Sequence, residues 1–250
     1  MNICLKISYL GLNYCGFQKQ KNGNTIQGVL EDALKKLFNE CINIIGCSRT
    51  DSGVHAKEYY CNFNIGNCKI PFLNVKTALN SYLPYDIRIL DCFQVSEDFN
   101  SRYSAKKKQY VYKIFNGEVL SPFNYFDHMH FRYKLNFDNM EKACSYFVGE
   151  HDFKGFATKG SSVKTTIRNI YESNIYKEND VITYRVIGNG FLYNMVRIIV
   201  GTLIMVGQDK INYADIPSII KSGDRSKSGF VSEAKGLSLE KIFYDNWHTK

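Results

Sequence analysis

Apolar residues recur every second position in some runs of this chain and at helical spacing in others. The alternation of the two patterns limits its possible folds more than any other feature. Ile3, Leu5, Ile7 and Tyr9 alternate as in a strand. Thr25, a good N-cap, then opens a segment with Ile26, Val29, Leu30, Ala33, Leu34 and Leu37 at helical spacing. Ile42–Ile45 and Glu58–Phe63, rich in β-branched or aromatic residues, are predicted as strands. A helix near 72–82, ended by Pro84, and a strand near 87–94 follow. The order approaches β-α-β-β-α-β, which implies an antiparallel or mixed sheet with helices on one face, the α+β arrangement. The second half resembles another copy: a strand at Gln109–Phe115, a helix near 138–148, and strands near 164–177 and 181–188. A helix at about 191–206, a shorter one near 213–221 and a strand near 237–244 complete it. No repeat of fixed period links the halves, so the duplication, divided at residues 1–104 and 105–250, rests on element order.

With 250 residues, 44% hydrophobic, 22% charged and only 4 prolines, the chain is expected to fold nearly end to end, as one large domain or two. No apolar stretch approaches the roughly 20 residues of a membrane-spanning helix, and no signal-peptide pattern follows Met1, so a cytoplasmic protein without membrane contact is expected. The 8 cysteines are scattered with no C-x-x-C pair and are read as free thiols. His128 and His130 form the one close histidine pair, a weak metal signal, and no metal is expected. The formal charge of +8 leans toward a polyanionic partner, although net charge also serves solubility. The run Arg102 to Lys113 contains no acidic residue and interleaves bases with tyrosines. That texture suits nucleic acid and equally suits a strand edge protected by lysines.

Arg49-Thr50-Asp51-Ser52-Gly53-Val54-His55-Ala56 sets one carboxylate in a glycine-containing bend between apolar runs. Asp, Ser and Gly are also the ordinary residues of turns, so the bend alone leaves Asp51 undecided. The D-S-G triplet suggests half of an aspartic-protease dyad, but no second D-[ST]-G occurs and two chains would have to pair. Ser52 and His55 form no nucleophile elbow, and phosphate-loop and dinucleotide fingerprints are absent. A lone carboxylate remains. An ionised Asp is a competent nucleophile toward an electrophilic sugar or base carbon, and a nearby guanidinium keeps it ionised; Arg49 or Arg197 would supply one. Arg197 is the one charge in the apolar run Phe191, Met195, Val196, Ile199, Leu203, where it is either partnered or on a polar stripe.

Cys47–Ala56 resembles the G-R-T-D-A-G-V-H signature of the tRNA pseudouridine synthase A (TruA) family. Tyr9–Gln20 is similar to Y-D-G-x-x-Y-x-G-W-Q-x-Q, Thr25–Gly28 to the following T-V-Q helix start, Leu79–Ile87 to L-N-x-x-L-P-x-D-I, and Phe99–Ala105 to F-H-A-R-x-S-A. Gly149–Phe153, Met195–Gly201 and Gly236–Leu239 continue the pattern. The resemblance implies two ferredoxin-like halves around a central cleft, the first carrying the catalytic aspartate and the second the base-stacking tyrosine and partner arginine. It makes Asp51 the nucleophile of an isomerase that lets uracil leave its ribose, rotate and rejoin through carbon. Tyr110 corresponds to the tyrosine stacking on the target base, and Arg197 to the arginine paired with the aspartate. Arg49 is taken as a further substrate contact, and Lys19, Arg102, Lys106, Lys107 and Lys108 as contacts to the RNA backbone. Flipping a base from folded RNA needs such a platform and cationic surface. The implied substrate is tRNA at positions 38, 39 and 40 of the anticodon arm, the implied assembly a homodimer, and no cofactor is implied. Ser48, Ser52, Phe17, Leu10 and Asn100 depart from the family pattern. A non-catalytic tRNA-binding module is the alternative.

Overall fold

The computed structural model describes residues 1–66, 68, 70–160 and 163–245. The chain is α+β, and its described residues form two compact units, one within 1–106 and 239–245 and the other within 107–238.

In the first unit, β1 (Asn2–Tyr9) lies between β4 (Ile87–Val95) and β3 (His55–Asn64), antiparallel to both, and β10 (Leu237–Tyr244) follows β3. The two-residue β2 (Ile45–Gly46) also pairs with β3. Helix α1 (Ile26–Phe38) starts where Thr25 accepts the Gly28 amide and buries the stripe Ile26, Leu30, Ala33 and Leu34. Its last ring, Phe38, lies 6.2 Å from Phe63 of β3, so α1 covers the sheet face of Tyr59, Cys61 and Phe63. Helix α2 (Phe72–Tyr82) stops because Leu83, before Pro84, is extended. Asn80 of α2 bonds both the carbonyl and the amide of Ile89, each at 2.9 Å, where β4 carries an extra residue opposite Lys6 and Ile7. The other sheet face meets the chain after β4 through a buried amide network: Asn2 donates to the Ser96 and Phe99 carbonyls, Asn62 accepts from the Ser101 amide and hydroxyl, and Tyr244 donates to the Ser101 carbonyl.

In the second unit, which begins at Lys107 within β5 (Ala105–Phe115), the strand order is β5, β9 (Val181–Gly188), β8 (Ile167–Glu178), β7 (Gly149–Asp152), with β6 (Met129–His130) beside β5. The neighbours β5-β9-β8 repeat the relation β1-β3-β2, so the duplicated plan is present in the strand order. Helix α3 (Phe137–Ser145) packs against β8 and against α4 (Met195–Gly207), and α5 (Ile216–Ser222) follows. All but Arg197 and Met205 of α4 are buried, as its nearly all-apolar sequence requires.

Several predicted boundaries are corrected. The strand expected at Ile42–Ile45 shrinks to β2, because the Ile44 amide goes to the Glu31 carboxylate instead of a ladder. The helix expected over 138–148 ends at Ser145, and Gly149 at φ +109 turns the chain into β7, a strand the sequence did not announce. Helix α4 begins at Met195 rather than 191, because Asn194 is left-handed at φ 61. The 213–221 segment divides into a 3-10 turn, Tyr213–Asp215, and α5. β8 starts at Ile167, and β5 starts at Ala105, so the basic run is strand from its first lysine.

Candidate active site

Asp51 stands in the loop between β2 and β3. The Val54 amide returns to the Asp51 carbonyl at 3.1 Å, and Gly53, third in this four-residue turn, has φ +80, the sign a type II turn demands there. Asp51 itself is half-buried, Arg49 is exposed and Thr50 between them is buried.

The loop is held from behind by residues 9–17. The Phe17 amide donates to the Thr50 carbonyl at 3.2 Å, and Tyr9 and Thr50 share a buried hydroxyl contact of 2.8 Å. The Tyr14 carbonyl accepts both the Gly53 amide (3.3 Å) and the Ser52 hydroxyl (3.2 Å). The Gly11 amide donates to Nδ1 of His55 at 3.0 Å, so this buried imidazole carries any single proton on Nε2. Close approach explains two glycines: a Cβ on Gly16 would lie 2.6 Å from the Thr50 carbonyl, and one on Gly11 would collide with that of Val54. Phe17 stacks on Tyr59 at 4.4 Å and 25°, and Tyr59 donates to the Ser48 carbonyl. Two of the five departures therefore fit: Phe17 fills a ring-stacking position, and Ser52 adds a hydrogen bond that an alanine would lack.

Lys19 is tied to α1 by its ion pair with Glu31 at 3.1 Å. Arg102 is exposed in a turn whose Asn100 Oδ1 accepts the Arg102 and Tyr103 amides, with its guanidinium 5.6 Å from the Tyr103 ring centre. Lys106 reaches Asp245 at 3.5 Å.

In the second unit, Tyr110 lies opposite Val186 in the β5–β9 ladder, is buried, and meets Phe191 edge-on at 5.2 Å. Strand alternation puts Lys108, Tyr110 and Tyr112 on one face of β5 and Lys107 on the other, where its ammonium lies 4.6 Å from the Tyr171 ring. Arg197, in the first turn of α4, donates through Nε to the Ser232 carbonyl (2.7 Å) and through a terminal nitrogen to Asn194 Oδ1 (2.8 Å). Tyr112 donates to the carbonyl of the next residue, Glu233, at 2.7 Å. The 232–233 segment thus ties Arg197 to the face of β5 that carries Tyr110. Burial, then the Glu233 charge, pushes the Tyr112 hydroxyl up, while Arg197 opposes the shift.

Asp51, Arg49, Lys19, Arg102 and Lys106 belong to the first unit, and Lys107, Lys108, Tyr110 and Arg197 to the second. The supports Tyr9, Tyr14, Thr50, Asn194 and Ser232 were not singled out from the sequence, although most lie inside the quoted motifs, and His55 was weighed there only beside Ser52. Among the described residues no group of three or more His, Cys, Asp or Glu is arranged to hold a metal, and no helix is long and apolar enough to cross a membrane.

The family model described as tRNA pseudouridine synthase matches residues 6–104 and 143–245. This chain belongs to the tRNA pseudouridine synthase family. Among its relatives, tRNA pseudouridine synthase A 2 of Clostridium perfringens is 48% identical over 243 residues, covering 97% of this chain and 99% of that protein. The tRNA pseudouridine synthase A of Clostridium acetobutylicum is 47% identical with the same coverage. That of Thermoanaerobacter pseudethanolicus is 46% identical, again over 97% and 99%. As a tRNA pseudouridine synthase the chain is an isomerase acting on tRNA. The family match includes Asp51, Arg49, Lys19, Arg102 and Arg197, whereas Lys106–Lys108 and Tyr110 fall between the matched stretches.

Proposed function

We propose that this enzyme converts uridines 38, 39 and 40 of the tRNA anticodon arm to pseudouridine, with Asp51 as nucleophile. The first unit carries that carboxylate. The second carries Tyr110, the platform on which the flipped base stacks, and Arg197, which with Arg49 supplies cationic contacts to the substrate. In the reaction the bond from C1′ of the ribose to N1 of uracil breaks, a bond from C1′ to C5 forms, the C5 hydrogen leaves as a proton, and N1 takes up one proton from water. Nothing is oxidised or reduced. Lys19, Arg102, Lys106, Lys107 and Lys108 bind phosphates. The enzyme works in the cytoplasm as a homodimer.

One observation carries this reading: the Asp51 turn is bonded at Thr50, Ser52, Gly53 and His55 to residues 9–17, so its carboxylate stands on a preorganised loop. Such fixing is what covalent catalysis by one side chain needs. The test uses tRNA bearing tritium at C5 of uridine. Wild-type protein is expected to release the label, and Asp51→Asn to bind the tRNA without releasing it. Release by Asp51→Asn at the wild-type rate would refute the role of Asp51. Wild-type protein that binds tRNA and releases nothing would make the chain a binding module instead.

A further inference from the structure

Leu79–Ile87 stands out in the sequence, yet nothing in the reaction uses it. We infer that its Asp86 is a positioning residue for Asp51, acting through Tyr14. The inference rests on the reading of Asp51 as nucleophile.

Asp86 holds the 10–14 segment at three points. Its carbonyl accepts the Leu10 amide at 2.9 Å, Oδ2 accepts from Asn13 at 3.2 Å, and Oδ1 accepts the Tyr14 hydroxyl at 2.6 Å. The Tyr14 side chain is buried, and its amide closes a turn onto the Gly11 carbonyl at 3.0 Å. Side chain and backbone of Tyr14 are therefore both fixed. The oxygen that remains, its carbonyl, receives the Ser52 hydroxyl and the Gly53 amide, the two residues after Asp51. A path of hydrogen bonds thus runs Asp86, Tyr14, Ser52 and Gly53, ending beside the nucleophile. The short hydroxyl–carboxylate contact is charge-assisted, stronger than a neutral pair, and its environment is partly withdrawn from water. Burial, then the Asp86 hydrogen bond and charge, pushes the Tyr14 hydroxyl well above its ordinary range, so Tyr14 keeps its proton and stays the donor of this bond. Without this hold the Tyr14 carbonyl loses one of its restraints, and a displacement on the order of 1 Å at a reacting group costs up to about a hundredfold in rate.

The experiment measures the single-turnover rate at saturating enzyme, and the enzyme concentration giving half that rate, for wild type, Tyr14→Phe, Asp86→Ala, Asp86→Asn, Tyr14→Phe with Asp86→Ala, and Asp51→Ala. Circular dichroism spectra matching wild type restrict the comparison to folded protein. Should Asp86→Ala not fold, Tyr14→Phe, which loses one oxygen, carries the test. Tyr14→Phe and Asp86→Ala are expected to lower the saturating rate about ten- to a hundredfold, with the half-saturating concentration within about twofold of wild type. The double variant should be no slower than the slower single by more than about twofold, because the Tyr14–Asp86 bond is already lost in each single variant. Asp86→Asn, which keeps an oxygen acceptor for Tyr14, should recover to within about threefold of wild type. An unchanged saturating rate, a loss confined to half-saturation, or multiplicative losses in the double variant would each overturn the positioning role. Conversion by Asp51→Ala would instead remove the nucleophile reading on which it rests.

Discussion

At the scale of single residues, the site depends on backbone approaches that only glycine permits. Gly16 has φ +85 and faces the Thr50 carbonyl, so Gly16→Ala meets both a left-handed backbone and a contact of 2.6 Å with backbone that cannot swing aside. We expect this substitution to cost about 1–3 kcal/mol of stability and to lower the reaction rate at least about tenfold in protein that remains folded. Urea unfolding read beside a single-turnover rate checks it, and a variant with wild-type stability and rate would show that the loop is not clamped at this point. The turn around Asp51 was legible in the sequence because Asp-Ser-Gly is a local pattern, whereas its choice as nucleophile came from the family resemblance and not from the bend. Its supports were not: Tyr14 bonds Asp86 from 72 positions away, and His55 takes an amide from Gly11 across 44. No local periodicity encodes such pairs.

At the scale of elements, the long strands and the helices were read correctly where apolar spacing is sustained, as in β1, α1, α2 and β10. β7 escaped because Gly-Glu-His-Asp has neither β-branched residues nor alternation and exists by pairing with β8. α4 was drawn too long because Phe191 and Leu192 fit its apolar spacing, whereas spacing is blind to the left-handed Asn194. The same helix yields a prediction. The segment 229–232 runs along α4: the Gly229 amide bonds Thr202 Oγ1 at 2.8 Å, and the Ser232 amide bonds the Arg197 carbonyl at 3.3 Å. A Cβ on Gly201 would drive into the Phe230 carbonyl. Ala is the better helix former by about 1 kcal/mol, but overpacking of this kind costs about 1–3 kcal/mol. Gly201→Ala is therefore expected to destabilise by up to about 2 kcal/mol and to weaken the Ser232 hold on Arg197. A higher urea midpoint for the variant would mean that the segment moves aside freely.

At the scale of the whole molecule, charge and buried acids set the response to solution conditions. With a formal charge of +8 and five basic side chains proposed to meet phosphates, tRNA affinity should fall about a hundred- to a thousandfold between about 50 and 200 mM salt. Titration of binding over that range checks it, and a flat dependence would exclude phosphate contacts as the source of affinity. Burial pushes the thiols of Cys92 in the first unit and Cys144 in the second up to about 12, and raises the Tyr59 and Tyr184 hydroxyls as well. A raised folded-state value for an acid means that the native protein binds the proton more tightly than the unfolded chain. That stabilisation is complete below the unfolded thiol value of about 8.5 and is lost as pH climbs toward about 12. The urea midpoint should therefore hold near neutrality and decline steadily above about pH 9; a midpoint constant to about pH 11 would contradict it.

The central claim is that Asp51 performs isomerisation in the anticodon arm, and the most direct measurement maps pseudouridine at single-nucleotide resolution in tRNA lacking the modification, after incubation with wild-type protein or with Asp51→Ala. The account predicts pseudouridine at positions 38, 39 and 40 with wild type and none with the variant, although the variant still binds the tRNA. Pseudouridine at those positions after treatment with Asp51→Ala would contradict it.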